Sequence, residues 1–120
     1  MGLTHVTVTV KASRSSRKKY AADFLVDTGA TDCMASGAAL RKAGITPVGK
    51  TTYELADGTP REFDFGLGVI EFMGDITAGR IIFGPDGSEP ILGVTALESV
   101  GISVDPRTRT LKRLPAISLK

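Results

Sequence analysis

Asp27 is the residue of this chain best placed for chemistry. It follows the apolar run Phe24-Leu25-Val26 and precedes Thr28-Gly29-Ala30-Thr31. Consecutive apolar residues predict a buried strand, and Gly29 permits a tight turn that a Cβ would obstruct. Such a turn holds Asp27 on buried backbone with its carboxylate aimed out of the sheet. General acid–base work on a carbonyl needs a carboxylate fixed in that way. Little else competes. His5, the only histidine, lacks partners for a metal site or a triad and reads as a polar-face strand residue. The single Cys33 cannot form an intrachain disulfide, and it reads as a small buried apolar residue rather than a redox switch. No metal-ligand cluster, phosphate loop or nucleophile elbow occurs, so neither metal nor cofactor is expected.

The elements that must position Asp27 are mostly strands. From Thr4 to Lys11, Val6, Val8 and Val10 alternate with polar residues, which predicts a half-buried strand. The charged stretch from Ser13 to Lys19 is a loop, and Tyr20 to Val26 is the returning strand. Helix formers from Met34 to Lys42, with a glycine stop at Ala43-Gly44-Ile45, predict a helix of two or three turns. Thr51 to Leu55 and Arg61 to Phe65 flank the turn Ala56-Asp57-Gly58, and their alternating charges suggest a hairpin standing away from the core. Leu67 to Phe72 and Ile76 to Phe83 read as two more strands around a Gly74-Asp75 turn. Ile91-Leu92 is a short buried strand ending at Gly93, and Val94 to Val100 a short helix stopped by Gly101. Ile102 to Val104 and Thr110 to Leu114 flank the Asp105-Pro106 turn. Strand, glycine, helix and then Ala-Gly-Ile at 43–45 or Val-Gly-Ile at 100–102 make a weak internal repeat.

At 120 residues the chain is expected to be one domain, 1–120. Its hydrophobic fraction of 42% suits a modest core, and 6% aromatic residues without Trp suggest an aliphatic, β-rich one. No apolar run is long enough to cross a bilayer and no secretory leader is evident, so no membrane partner and a cytoplasmic location are expected. The net charge of +2 gathers in two basic clusters, Lys11 to Lys19 and Arg107 to Arg113. Neither has interleaved aromatics on which bases would stack, so both read as solvated segments and no nucleic acid is expected.

The run from Phe24 to Ala30 resembles the apolar-apolar-apolar-Asp-Thr-Gly-Ala signature of the pepsin and retropepsin clan of aspartic proteases. A second match follows: Pro90-Ile91-Leu92-Gly93, leading through Val94-Thr95-Ala96-Leu97 to Gly101-Ile102-Ser103-Val104-Asp105, is similar to the clan's apolar-apolar-Gly element. The pattern covers roughly residues 4 to 114 and is most similar to small single-domain bacterial and archaeal retropepsin-like proteins. It implies a mainly β half-domain with two short helices, a closed barrel assembled as a homodimer. It departs from the viral branch, which usually carries an acidic residue where this chain has Thr31 and an Arg where it has Val94.

The chemistry implied is peptide hydrolysis by two carboxylates. One acts as base on a water while the other, protonated, donates to the scissile carbonyl. Carboxylates about 3 Å apart do not both ionise readily, so such a pair shares one proton. This chain has one Asp-Thr-Gly; Asp57-Gly58 and Asp86-Gly87 lack the apolar strand before them. The second carboxylate is therefore expected from a second copy, with Asp27 facing Asp27 across a two-fold axis and the monomer inactive. By the same resemblance Thr28 braces the dimer contact, Gly29 and Ala30 complete the active-site turn, and Ile91, Leu92 and Gly93 form the second element. Ala56, Asp57 and Gly58 correspond to the flap that closes over substrate. Ile70, Ile82, Ile91 and Leu92 serve equally well as pocket walls or as core. The reading is thus a homodimeric aspartic endopeptidase acting on a peptide or protein. The alternative is a non-proteolytic dimerisation or peptide-binding module of the same fold.

Overall fold

The computed structural model describes residues 4–119. Nine strands and two helices follow in the order β1 (His5–Lys11), β2 (Tyr20–Val26), β3 (Cys33–Ser36), α1 (Gly37–Lys42), β4 (Gly49–Glu54), β5 (Pro60–Phe72), β6 (Asp75–Gly84), β7 (Ile91–Leu92), α2 (Val94–Ser99), β8 (Ile102–Asp105) and β9 (Thr110–Arg113). Six strands pair in the order β1-β2-β7-β3-β6-β5, and β5 returns to β1, so the sheet closes into a barrel. Closure removes the free edges that an open sheet would expose. β4 extends the far side of β5, and β8 pairs with β9 in a separate ribbon.

Alternation along β1 turns Val8 and Val10 wholly inward, where they join Phe24, Ile70, Ile81, Leu92 and Leu97 in one mainly aliphatic core. Cys33 belongs to this core, 1% exposed, as its type and apolar neighbours led one to expect. The two halves of the weak repeat also correspond in space. Gly44 and Gly101 both adopt left-handed φ values, 82° and 72°, at the ends of their helices, and Ile45 and Ile102 behind them are both buried. A residue with a Cβ resists that conformation, which is why glycine ends each helix.

Three expectations are corrected. The helix expected from Met34 begins at Gly37, because Cys33–Ser36 forms β3, parallel to β6 and antiparallel to β7. Ser36 marks the real start: its hydroxyl accepts the Ala39 N–H at 3.2 Å. The two strands expected across 61–72 are one strand of thirteen residues. Gly66 and Gly68 do not break it; a Cβ on Gly66 would lie 2.7 Å from Ile45 Cγ2 and 2.8 Å from the Thr46 carbonyl oxygen. Those glycines admit the segment after α1 against the strand. The turn expected at Gly74-Asp75 is made by Met73 and Gly74, with Phe72 and Asp75 as the closing pair.

The hairpin of β4 and the outer half of β5 extends beyond the barrel as its charge pattern indicated. β4 pairs with β5 alone, and its burial alternates strictly along the strand. No described helix is long and apolar enough to cross a membrane.

Candidate active site

The backbone around Asp27 is held from three directions. Its N–H donates to the Leu92 carbonyl at 3.1 Å, which continues the parallel pairing of β2 with β7. Its own carbonyl accepts the Ala30 N–H at 3.1 Å and closes the turn. Beyond the turn, the first amides of α2 donate to the same loop, Val94 N–H to Ala30 at 2.8 Å and Thr95 N–H to Thr31 at 3.0 Å. The element Ile91-Leu92-Gly93 is therefore the clamp on the Asp27 loop. Backbone bonds of this kind fix a side chain more firmly than a free loop does.

Asp27 is half-buried, and its Oδ1 accepts the Gly29 N–H at 2.9 Å. Gly29 is needed for a reason other than the turn itself. It lies outside the left-handed region, and a Cβ there would come within 3.2 Å of that same Oδ1. Glycine thus leaves room for the carboxylate to turn back on its own loop. Thr28 and Gly29 are exposed on the outer side of the turn.

Asp27 opens on a groove of about 580 Å³ between this loop and the β4–β5 hairpin. Ile82 and Ile91 form part of its floor, whereas Ile70 and Leu92 are sealed in the core, 2% and 0% exposed. Of the three hairpin residues singled out from the sequence, Ala56 reaches the groove, together with Leu55. Asp57 and Gly58 do not line it; they build the tip. The Asp57 carboxylate accepts the Thr59 N–H at 3.0 Å and the Thr59 hydroxyl, and these bonds hold it below the usual carboxylate range. Gly58 takes a φ of 87° there.

Asp32 and Tyr53 line the groove as well, although nothing in the sequence singled them out. Asp32, five positions after Asp27, accepts a 2.6 Å hydrogen bond from the Tyr53 hydroxyl of β4. Burial and this bond to a carboxylate push the Tyr53 phenol up to about 12, against the opposing effect of Arg80. Tyr53 packs edge-on against Phe63, and Arg80 lies 4.1 Å from the centre of the Phe65 ring while donating to Thr51 at 2.7 Å. No local signal marks Asp32 and Tyr53 as a pair, because twenty-one positions separate them.

No protein-family model and no curated protein matches this sequence. Among solved structures, the simian foamy virus (mac) protease in solution is similar, with a TM-score of 0.53 at 14% identity, over 78% of this chain and 91% of the viral one. The fold is that of a retropepsin-like protease. Within that retropepsin-like half-domain, the loop 27–32, β7 and the β4–β5 hairpin enclose one carboxylate-bearing groove. Among the described residues, no group of three or more His, Cys, Asp or Glu converges as a metal site.

Proposed function

We propose that this chain, as one domain, is half of a homodimeric aspartic endopeptidase in which each copy contributes Asp27 to a shared dyad. The observation that carries the reading is the Asp27 carboxylate itself. It is held at a clamped strand end, oriented by the Gly29 N–H and open to a groove of about 580 Å³. The retropepsin-like fold supports the same reading.

A single carboxylate cannot serve as base toward a water and as acid toward the carbonyl in the same step. A second copy related by a two-fold axis supplies the missing group, and the pair then holds one proton between two oxygens. In hydrolysis the ionised member takes a proton from water as the water attacks the carbonyl carbon. The protonated member stabilises the developing oxyanion. The proton gained from water then passes to the leaving amine as the C–N bond breaks. Thr28, exposed beside Asp27, is the brace toward the second copy, and the hairpin ending in Leu55 and Ala56 covers the bound peptide.

The test is cleavage of a diverse peptide pool across pH by wild type and Asp27→Asn, with oligomeric state measured in the same buffer. The carboxamide oxygen of the variant still accepts the Gly29 N–H, so the turn survives the substitution. Turnover is expected to fall by about 10³-fold or more while the dimer persists. A wild-type dimer that binds peptides without cutting any would establish the peptide-binding module instead. Cleavage undiminished in the variant would remove Asp27 from the chemistry.

A further inference from the structure

We infer that Asp32 is a specificity-determining residue that selects substrates carrying a lysine or arginine side chain beside the scissile bond. This inference names the substrate class of the site proposed above and rests on that reading. Asp32 lines the same groove as Asp27 and is half-buried there. The Tyr53 hydroxyl donates to its Oδ2 at 2.6 Å, which fixes the carboxylate against the hairpin.

The charged side chains that line the groove are all acidic, with Arg80 beside Asp32 in an adjoining cavity. Asp27, Asp32 and Glu54 are its ionisable carboxylates, and among the described residues no lysine, arginine or histidine lines it. Arg80 interacts with the Tyr53 phenol and lines that small cavity with Asp32, but its guanidinium donates to Thr51 and stacks on Phe65, and it makes no ion pair with Asp32. Asp32 thus has one neutral donor and, among the described residues, no cationic partner.

Bound peptide would displace water from this carboxylate. An apolar side chain laid over it would leave a charge desolvated and half-satisfied, which is unfavourable. A guanidinium or ammonium group would restore a charge-assisted hydrogen bond in its place. The discrimination therefore has both an attractive side and a repulsive one. The apolar wall of Met34, Phe63, Ile82 and Ile91 suits the methylene stem of a long basic side chain, whose head then reaches Asp32.

Matched peptides, identical except for lysine, norleucine or glutamate at each position flanking the scissile bond, separate this inference from its foundation. Wild type is expected to favour lysine over norleucine by about tenfold in kcat/KM at one position at least, and to disfavour glutamate. Asp32→Asn keeps an acceptor for Tyr53 and removes only the charge, so it should bring lysine and norleucine within about twofold. Asp32→Lys should turn the preference toward glutamate. Cleavage without a basic preference, or a preference that survives in Asp32→Asn, overturns the inference and leaves the endopeptidase standing. If wild type cuts nothing, the endopeptidase reading fails, and fluorescence anisotropy with the same peptides decides the matter. Tighter binding of the lysine peptide that is lost in Asp32→Asn then upholds the selection, and equal binding of the lysine and norleucine peptides overturns it.

Discussion

Gly93 passes so close beneath Asp32 that a Cβ on Gly93 would lie 2.5 Å from the Asp32 carbonyl oxygen and 2.6 Å from its carbonyl carbon. Both obstacles are backbone, so no side chain can rotate aside to relieve them. The contact fixes the spacing between the loop that follows Asp27 and the start of α2, whose amides bind that loop. Gly93→Ala is expected to cost about 3 kcal/mol in urea denaturation, because the loop or the helix must shift. Gly79→Ala is the control, since a Cβ there meets nothing within 4 Å and the backbone lies outside the left-handed region. It should stay within about 0.5 kcal/mol of wild type. Equal stabilities for the two variants would refute the close-packing account of Gly93.

Burial raises the Cys33 thiol from its ordinary value of 9.0 up to about 11, with the backbone of Gly93 opposing the rise and Asp32 adding to it. The folded state therefore holds this proton more tightly than the unfolded chain does. The resulting stabilisation is complete below about pH 9 and is lost as pH climbs toward about 11. The loss from this group should total about 2–3 kcal/mol. Denaturant titrations over that alkaline window should show a steeper decline for wild type than for Cys33→Ala. Parallel slopes would mean that the thiol is more accessible than its 1% exposure indicates.

The Tyr53 phenol, pushed up to about 12, should ionise late in an ultraviolet pH titration. Burial is the larger cause and the Asp32 carboxylate the next. Asp32→Ala should consequently lower the midpoint without returning it fully to the ordinary phenol value. Tyr53→Phe should cost about 1 kcal/mol, since the hydrogen bond lost is to a charged but solvent-accessible acceptor. A midpoint that ignores Asp32→Ala would show that the two side chains do not meet in solution.

Met73 occupies the first position of the two-residue turn between β5 and β6 with φ of 53°, followed by Gly74 at 78°. Two positive φ values in succession favour Asn-Gly, whereas a long side chain is strained at the first position. Met73 is 37% exposed, and Arg113 bonds only its backbone carbonyl, at 2.9 Å. Met73→Asn should therefore raise stability by about 0.5–1 kcal/mol, read as an increase in Tm. A fall in Tm would mean that the methionine side chain packs more than its exposure suggests.

Much of the barrel was legible because its signals are local. Val6, Val8 and Val10 alternate as a half-buried strand must, and Phe24-Leu25-Val26 does lead as a strand into the Asp27 turn, although only Phe24 of that run is fully buried and Leu25 and Val26 are half-buried. Gly44 and Gly101 ended their helices because only a residue without a Cβ enters the left-handed region freely. Local preference misled where distant partners outweighed it. Met34 and Ala35 favour a helix in isolation, yet they form β3 because β6 and β7 offer hydrogen bonds on both sides. Gly66 fell between two expected strands because Ile45 and Thr46, which press on β5 there, lie some twenty positions earlier. The chain by itself determined which carboxylate stands at the end of an apolar strand and before a glycine turn. Tertiary structure alone decided that β7 clamps its loop, that Ile82 faces the groove while Ile70 is sealed, and that Tyr53 meets Asp32. Those relations depend on closure of the barrel, which joins residues whose separation along the chain carries no information about their distance in space.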